Sequence, residues 1–306
     1  MSFSSDVKKE LCRTVPEGKC CARAELAGII SFCGFTRPAK DGDIFTVKTE
    51  NAAVARRVYT LIKRLLGVSI AITPVRRGKK SNSYIIELND RTLFKKILTE
   101  TGLLENNSVR FAINSFIVQE VCCQRAYIRG AFLGGGSVNS PEKSYHFEIE
   151  THYFRLSRDL TALFAELELG ARCIVRKSNY VIYLKDSEKI GEALASMGAA
   201  DSMMELCNIK ILKDMKNTIN RQVNCETANV GKTASAAAQQ IRSIKKIIER
   251  RGLASLPEEL AELAVLRMEN PEVSLAELCG MLKAPISRSG VNHRLKKLIE
   301  IAESIT

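Results

Sequence analysis

Nowhere in these 306 residues does an apolar run reach the length needed to cross a bilayer. The most apolar stretch, Ala24 to Phe35, is short and carries Glu25, so a membrane-spanning helix is excluded. The opening residues, Met1 to Glu10, show no basic-then-apolar leader; the expected place is the cytoplasm. Cysteine is too sparse, at 10 residues, to build a disulfide scaffold, and no two cysteines have the CxxC spacing of a zinc finger. Histidine is scarcer still, with only His146, His152 and His293. Negative charge is the last shortage. Asp and Glu number 34 against 46 Lys and Arg, a net +12, and such an excess suits a polyanionic partner, most often nucleic acid. A basic but merely solvated surface is the plain alternative. What remains is the composition of a folded chain long enough for about two domains.

The chain repeats itself. Cys20-Cys21-Ala22-Arg23-Ala24 returns as Cys122-Cys123-Gln124-Arg125-Ala126, an offset of 102 residues. The same offset carries Gly28 onto Gly130, Gly34 onto Gly136, Phe45-Thr46-Val47 onto Phe147-Glu148-Ile149, and Leu61 and Leu65 onto Leu163 and Leu167. Agreement at one offset over so many positions indicates duplication. Each copy opens with apolar residues at helical spacing: Leu26, Ile29 and Ile30, then Ile128, Ala131 and Phe132. Glycines follow, then alternating runs at Ile44 to Thr49 and Tyr145 to Thr151 that predict strands. Amphipathic helices are predicted over Ala52 to Leu66 and Leu156 to Leu169. A hairpin comes next, Val68 to Val75 with Tyr84 to Leu88, and Arg172 to Arg176 with Tyr180 to Leu184. Helices at Arg91 to Thr101 and Glu188 to Met197 close the copies. The expected fold is α+β, two pseudo-symmetric αββαββα lobes. They occupy residues 1–202, with lobe 1 at about 20–104 and lobe 2 at about 122–200.

Glycine inside a helix costs about 1 kcal/mol relative to alanine, so its presence in both first helices needs a reason. Close packing of the two helices would supply one, with Ala27, Gly28 and Ser31 against Gly130, Ala131 and Gly134. Ordinary core glycines are the alternative. The nonapeptides Leu26-Ala27-Gly28-Ile29-Ile30-Ser31-Phe32-Cys33-Gly34 and Ile128-Arg129-Gly130-Ala131-Phe132-Leu133-Gly134-Gly135-Gly136 resemble two degraded copies of the interface helix of LAGLIDADG homing endonucleases. The resemblance implies an αββαββα lobe around each helix. It also implies one acid at the foot of each, the pair holding the divalent metal that cleaves DNA. Here those positions are Cys33 and Gly135, and no Asp or Glu lies between Leu26 and Asp41 or between Phe132 and Pro141. Thiol and hydrogen cannot replace oxygen ligands on a hard cation. The expectation is a scaffold that has lost its cleaving centre, with no metal, no cofactor and no catalytic residue.

Other chemistry is no better supported. Gly231-Lys232-Thr233 looks like the end of a Walker loop, but Glu226 stands where its first glycine belongs. No small-molecule substrate is expected. His146 and His152 share a strand face, which permits a metal pair, although satisfied or exposed histidines are the commoner case. Cys20-Cys21 and Cys122-Cys123 start the two first helices. As adjacent residues they are expected to point apart and to serve as small buried hydrophobes.

Beyond Ala200 the pattern is helical throughout. A linking helix is expected over 203–230, with cap-type residues at Asn224 to Asn229, and a helical DNA-binding domain over 231–306. Ser274 with Glu277 makes a capping box, and Leu275, Leu278 and Leu282 form an inner stripe. A turn at Lys283 to Ile286 leads to a longer helix starting at Ser287 or Ser289, with Val291, Leu295 and Leu298 inward. This is a helix-turn-helix over about 274–300. From Leu278 to Ile299 there is no acid, and Lys283, Arg288, Arg294, Lys296 and Lys297 sum to +5. The expected DNA-binding residues are Ser287, Arg288, Ser289, Asn292, His293, Arg294, Lys296 and Lys297, with Arg and Asn suited to base edges and Ser and Lys to phosphate. A second, non-specific DNA contact is expected from the lobe hairpins, at Arg76, Arg77, Lys79 and Lys80 and at Arg172, Arg176 and Lys177.

The two acid-less lobes, the stretch Asn220 to Asn229 and Ser287-Arg288-Ser289-Gly290-Val291-Asn292-His293-Arg294-Leu295 together resemble the WhiA family of bacterial sporulation and cell-division regulators. That resemblance implies a nucleoid-associated transcription regulator whose partners are double-stranded DNA and RNA polymerase carrying the principal sigma factor. Two rivals remain at this point. One is a metal-dependent endonuclease using Asp41, Asp43 or Glu142; the other is a nucleoid or cell-division adaptor that touches DNA incidentally.

Overall fold

The computed structural model describes residues 2–37, 44–77, 81–88, 90–106 and 108–305. Its first element, α1 (Phe3–Leu11), was not singled out by the repeat. Ser2 caps it, accepting from the Ser5 amide, and Phe3, Val7 and Leu11 bury one face. Their i, i+4, i+8 spacing was the available signal.

Lobe 1 then runs α2 (Lys19–Cys33), β1 (Gly34–Arg37), β2 (Ile44–Thr49), α3 (Ala52–Leu66), β3 (Thr73–Arg77), β4 (Ser81–Leu88) and α4 (Arg91–Glu100). A short hairpin, β5 (Leu104–Glu105) and β6 (Ser108–Val109), leads to lobe 2. There the order recurs as α5 (Val121–Gly135), β7 (Gly136–Val138), β8 (Phe147–Thr151), α6 (Phe154–Glu166), β9 (Arg172–Arg176), β10 (Asn179–Leu184) and α7 (Ser187–Met197). The sheets have the orders β1-β2-β4-β3 and β7-β8-β10-β9, and every pairing is antiparallel. Register repeats as well: Phe45 faces Leu88 and Val47 faces Ile86, while Phe147 faces Leu184 and Ile149 faces Ile182. All eight are buried. Strand alternation turns these residues toward the helices and their neighbours away.

The core of the lobes is the pair α2 and α5. A Cβ placed on Gly28 would lie 2.3 Å from the Tyr127 carbonyl oxygen, and one on Gly130 would lie 2.1 Å from that of Glu25. The helix backbones therefore touch, and hydrogen is the largest substituent that fits. Beside this contact sits a charge cluster with no signature in the repeat. Arg57 Nε and Nη2 donate to Glu25 Oε1 and Oε2 at 2.6 and 2.8 Å, and Arg129 Nε donates to Oε2 at 3.0 Å. The remaining guanidinium donors reach the carbonyls of Cys12 and Met197 at 3.3 and 2.9 Å. Glu25 is fully buried. Its counterpart at the 102-residue offset is Tyr127, whose hydroxyl donates to Ser31 Oγ at 3.1 Å. The duplication is thus preserved in backbone and broken in polar detail.

One helix, α8 (Ala200–Arg251), occupies 52 residues. Glu10 of α1 caps its start, accepting from the amides of Asp201 and Ser202 at 2.8 and 3.0 Å. The expected interruption at Asn224 to Asn229 is absent. These polar residues instead bond one helical turn along, Gln222 to Glu226 and Asn229 to Cys225, with the Thr233 hydroxyl donating to the Asn229 carbonyl. Satisfied i, i+4 partners remove the reason to leave the helix.

The chain divides into two compact units, Met1–Lys213 and Asp214–Thr306. In the second, α9 (Glu258–Glu269), α10 (Leu275–Met281) and α11 (Arg288–Glu303) enclose a core with the end of α8. Ile244, Ile247, Leu263, Leu278, Val291, Leu295 and Leu298 fill it. Arg267 is buried there without a carboxylate, donating to Gln240 Oε1 at 2.9 Å and to the Val273 carbonyl at 2.6 Å. No helix among the described residues is long and apolar enough to cross a membrane.

Candidate nucleic-acid interface

At the C-terminal ends of α2 and α5 the residues present do not fit a divalent metal. Cys33 donates its thiol to the Ile29 carbonyl at 3.1 Å, and burial pushes that thiol up to about 12, so it stays protonated. Gly135 has no side chain, and a Cβ there would lie 2.8 Å from the Glu150 carbonyl oxygen. A cation already stands beside them. The half-buried Lys8 side chain of α1 donates from Nζ to the Leu133 carbonyl at 3.3 Å. A protonated thiol and a glycine supply neither of the two carboxylates that would hold a hard cation at these positions, and the ammonium beside them opposes one. Of the other acids considered, Glu142 is an exposed residue, and Asp41 and Asp43 lie outside the described residues.

The hairpin cations are placed unequally. Arg76 on β3 is exposed; the Arg77 side chain, Lys79 and Lys80 lie outside the described residues. In lobe 2, Arg172, Arg176 and Lys177 are all exposed. Lys177 and Ser178 form the tip of the β9–β10 hairpin with φ of 47° and 68°, the pattern of a tight hairpin turn. Arg176, however, is already paired. Its guanidinium meets Glu148 Oε2 at 3.1 Å and also contacts Glu150 Oε1. Both acids lie on the face of β8 opposite Phe147 and Ile149. At the 102-residue offset they correspond to Thr46 and Lys48 of lobe 1, so lobe 2 carries acids where lobe 1 carries none. Arg176, expected as a secondary DNA contact, thus stands as one arm of a surface ion-pair group and remains exposed.

The helix-turn-helix is built as its sequence pattern requires. Ser274 Oγ accepts from the Glu277 amide at 3.3 Å, and the Ser274 amide donates back to Glu277 Oε2 at 2.9 Å. The backbone bond from Ser274 holds the Glu277 carboxyl below its usual range. Ser287, rather than Ser289, caps α11. It accepts from the Gly290 amide at 3.2 Å and shares a 2.9 Å contact with the Ser289 hydroxyl. With Val291, Leu295 and Leu298 buried, the opposite side of α11 exposes Arg288, Ser289, Asn292, His293, Lys296 and Lys297. Residues 288, 292 and 296 form one i, i+4 row, and 289, 293 and 297 form the adjacent row. Arg294 does not join them. It turns back to Glu259 of α9 at 2.5 Å and is half-buried. Expected among the DNA contacts, it is placed instead toward α9, where it braces α11 against that helix.

Two further placements differ from expectation. The paired cysteines do not point apart: the four sulfurs of Cys20, Cys21, Cys122 and Cys123 lie within 4.8 Å of one another. Two-fold pairing of helix ends, invisible in either pair alone, brings them together. Among the described residues the histidines join no such group. His146 Nε2 sits 3.0 Å from Glu148 Oε2, and His152 is exposed.

Comparison with known proteins places the whole chain. Residues 19–104 match the WhiA N-terminal LAGLIDADG-like domain, residues 124–216 the WhiA LAGLIDADG-like domain, and residues 219–302 the WhiA C-terminal HTH domain. The probable cell division protein WhiA of Desulfitobacterium hafniense (strain Y51) is 45% identical over 309 residues, with 100% of this chain and 96% of that protein covered. Its counterpart in Bacillus velezensis is 45% identical over 310 residues, covering 100% and 97%. Among solved structures, full-length DUF199/WhiA from Thermatoga maritima is similar with a TM-score of 0.61 at 26% identity, over 99% of this chain and 98% of that one.

Proposed function

The chain belongs to the WhiA family, and on that premise we propose that it is a sequence-specific DNA-binding regulator of transcription that cleaves nothing. The observation that carries the proposal is the exposed face of α11. It presents Arg288, Asn292 and Lys296 in one row and Ser289, His293 and Lys297 in the next, without an acid among them. A helix of this kind enters the major groove with its early residues on base edges and its later ones near the backbone. Arg288, Asn292 and His293 read sequence; Ser287 and Ser289 at the helix start, and Lys296 and Lys297 further on, hold phosphates.

These roles separate experimentally. Asn292→Ala is expected to lose about 1–3 kcal/mol on a selected site and little on a scrambled one. Lys297→Ala is expected to weaken both DNAs alike and to lower the salt slope by about one unit. Titrations of both variants on both DNAs at several salt concentrations decide it. Equal losses on both DNAs for both variants would reduce α11 to a phosphate clamp.

The lobes serve as a platform. Lobe 1 and the Arg172 and Lys177 end of lobe 2 supply non-specific DNA contact, and the paired acids of lobe 2 suit a basic protein surface better than a phosphate backbone. RNA polymerase carrying the principal sigma factor is the first protein partner to test. The relatives carry the name of a cell division protein; we extend that role, and regulation of sporulation, to this chain acting on the nucleoid. No cleavage is expected because Cys33 and Gly135 supply no metal ligand and Lys8 brings a positive charge beside them. Supercoiled plasmid incubated with pure protein and Mg²⁺ or Mn²⁺ should stay supercoiled. Nicking that persists through purification and vanishes on replacing Glu142 or Asp41 would overturn this.

A further inference from the structure

The geometry points to a zinc site of four thiolates, Cys20, Cys21, Cys122 and Cys123, that joins the two lobes where α2 and α5 begin. All four sulfurs lie within 4.8 Å of one another, and those of Cys122 and Cys123 are 4.0 Å apart. Four thiolates around one Zn²⁺ at about 2.3 Å stand about 3.8 Å from each other, so small side-chain shifts complete the tetrahedron. The donors are all soft sulfur, which selects Zn²⁺ over the hard cations of nucleases. The site is also remote from the acid positions of the endonuclease pattern. Cys33 lies thirteen positions after Cys20 along α2, about 20 Å at helical rise.

The local setting suits a negative cluster. Neither helix has a side-chain cap at its start, where Gly18 and Glu120 make no cap bond. With no side-chain cap at either start, the positive dipole ends of both helices favour thiolate charge there. Cys21 and Cys123 are buried, Cys122 is partly buried and Cys20 is exposed, giving an inner wall and an entry side. Packing alone does not account for Cys20, since an exposed small hydrophobe gains little by burial. On binding, the four thiols release their protons to solvent and Zn²⁺ takes four sulfur bonds, leaving a net charge of −2. Each lobe contributes two ligands, so the ion cross-links them.

The test uses the full chain, purified under reducing conditions without chelator. Elemental analysis is expected to find one zinc per chain. Titration of the metal-free protein with Co²⁺ should give the intense charge-transfer and visible bands of a tetrahedral thiolate site. Cys20→Ser and Cys122→Ser should each weaken Co²⁺ binding more than about 100-fold, beyond the loss typical of an outer-shell change. Cys225→Ser, on the exposed surface of α8, should leave both stoichiometry and spectrum intact. Circular dichroism of each variant establishes that it is folded, and the Co²⁺ spectrum of the unaltered chain stands even if a variant is not. Absence of zinc together with an octahedral Co²⁺ spectrum overturns the proposal. So does an iron–sulfur absorption, or a native mass short by the hydrogens of disulfides linking Cys20 with Cys123 or Cys21 with Cys122.

Discussion

Glu25→Ala is expected to destabilise the lobes by about 3–5 kcal/mol, measured by urea unfolding. The variant leaves two guanidiniums, Arg57 and Arg129, buried without their shared carboxylate. Each is only 7% exposed, so water cannot replace the lost partner. Their other bonds, to the Cys12 and Met197 carbonyls, are too few to satisfy them. The triple variant Glu25→Ala with Arg57→Met and Arg129→Met removes the stranded charge and should recover much of the loss, because apolar replacement of a buried ionic group is often close to neutral. A single variant as stable as the parent would mean that this cluster is more hydrated than its burial indicates.

Gly130→Ala is expected to cost at least the upper end of the roughly 1–3 kcal/mol typical of overpacking. The new methyl would sit 2.1 Å from the Glu25 oxygen, 2.9 Å from the Ile29 nitrogen and 3.0 Å from the Glu25 carbonyl carbon. All three are backbone atoms of a buried helix, so no rotamer change relieves the contact; α2 and α5 must separate. Gly28→Ala meets the Tyr127 carbonyl in the same way. Gly231→Ala supplies the control. It lies within α8 with nothing within 4 Å of the added carbon, and alanine there should stabilise the helix by roughly 0.5–1 kcal/mol. If Gly130→Ala and Gly231→Ala shift the melting temperature alike, the close helix contact is wrong.

Much of this protein is legible without coordinates because its information is periodic and local. The 102-residue offset, the apolar spacing of Leu26, Ile29 and Ile30, and the alternation in Phe45 to Val47 define lobes and strands through backbone periodicity alone. The Ser274–Glu277 capping box and the buried row Val291, Leu295, Leu298 do the same for the helix-turn-helix. Absence is equally legible: no fold can restore a carboxylate to Cys33 or Gly135.

What periodicity cannot reveal is which side chain meets which across the chain. Arg176 and Arg294 read as free cations, and only strand register and helix packing deliver them to Glu148, Glu150 and Glu259. The cap-type run Asn224 to Asn229 reads as an end, yet i, i+4 partners keep α8 continuous. Glu25 reads as a polar intruder in an apolar helix until Arg57 and Arg129 reach it from 32 and 104 residues away. The cysteine pairs read as small hydrophobes until the two-fold axis sets one pair against the other. Residue type and local periodicity set the elements that carry these side chains, except at Asn224 to Asn229, where they suggest an end that α8 does not have. The partner was decided by tertiary structure, because an ion pair, a close helix contact or a shared ligand depends on distances that only long-range packing creates.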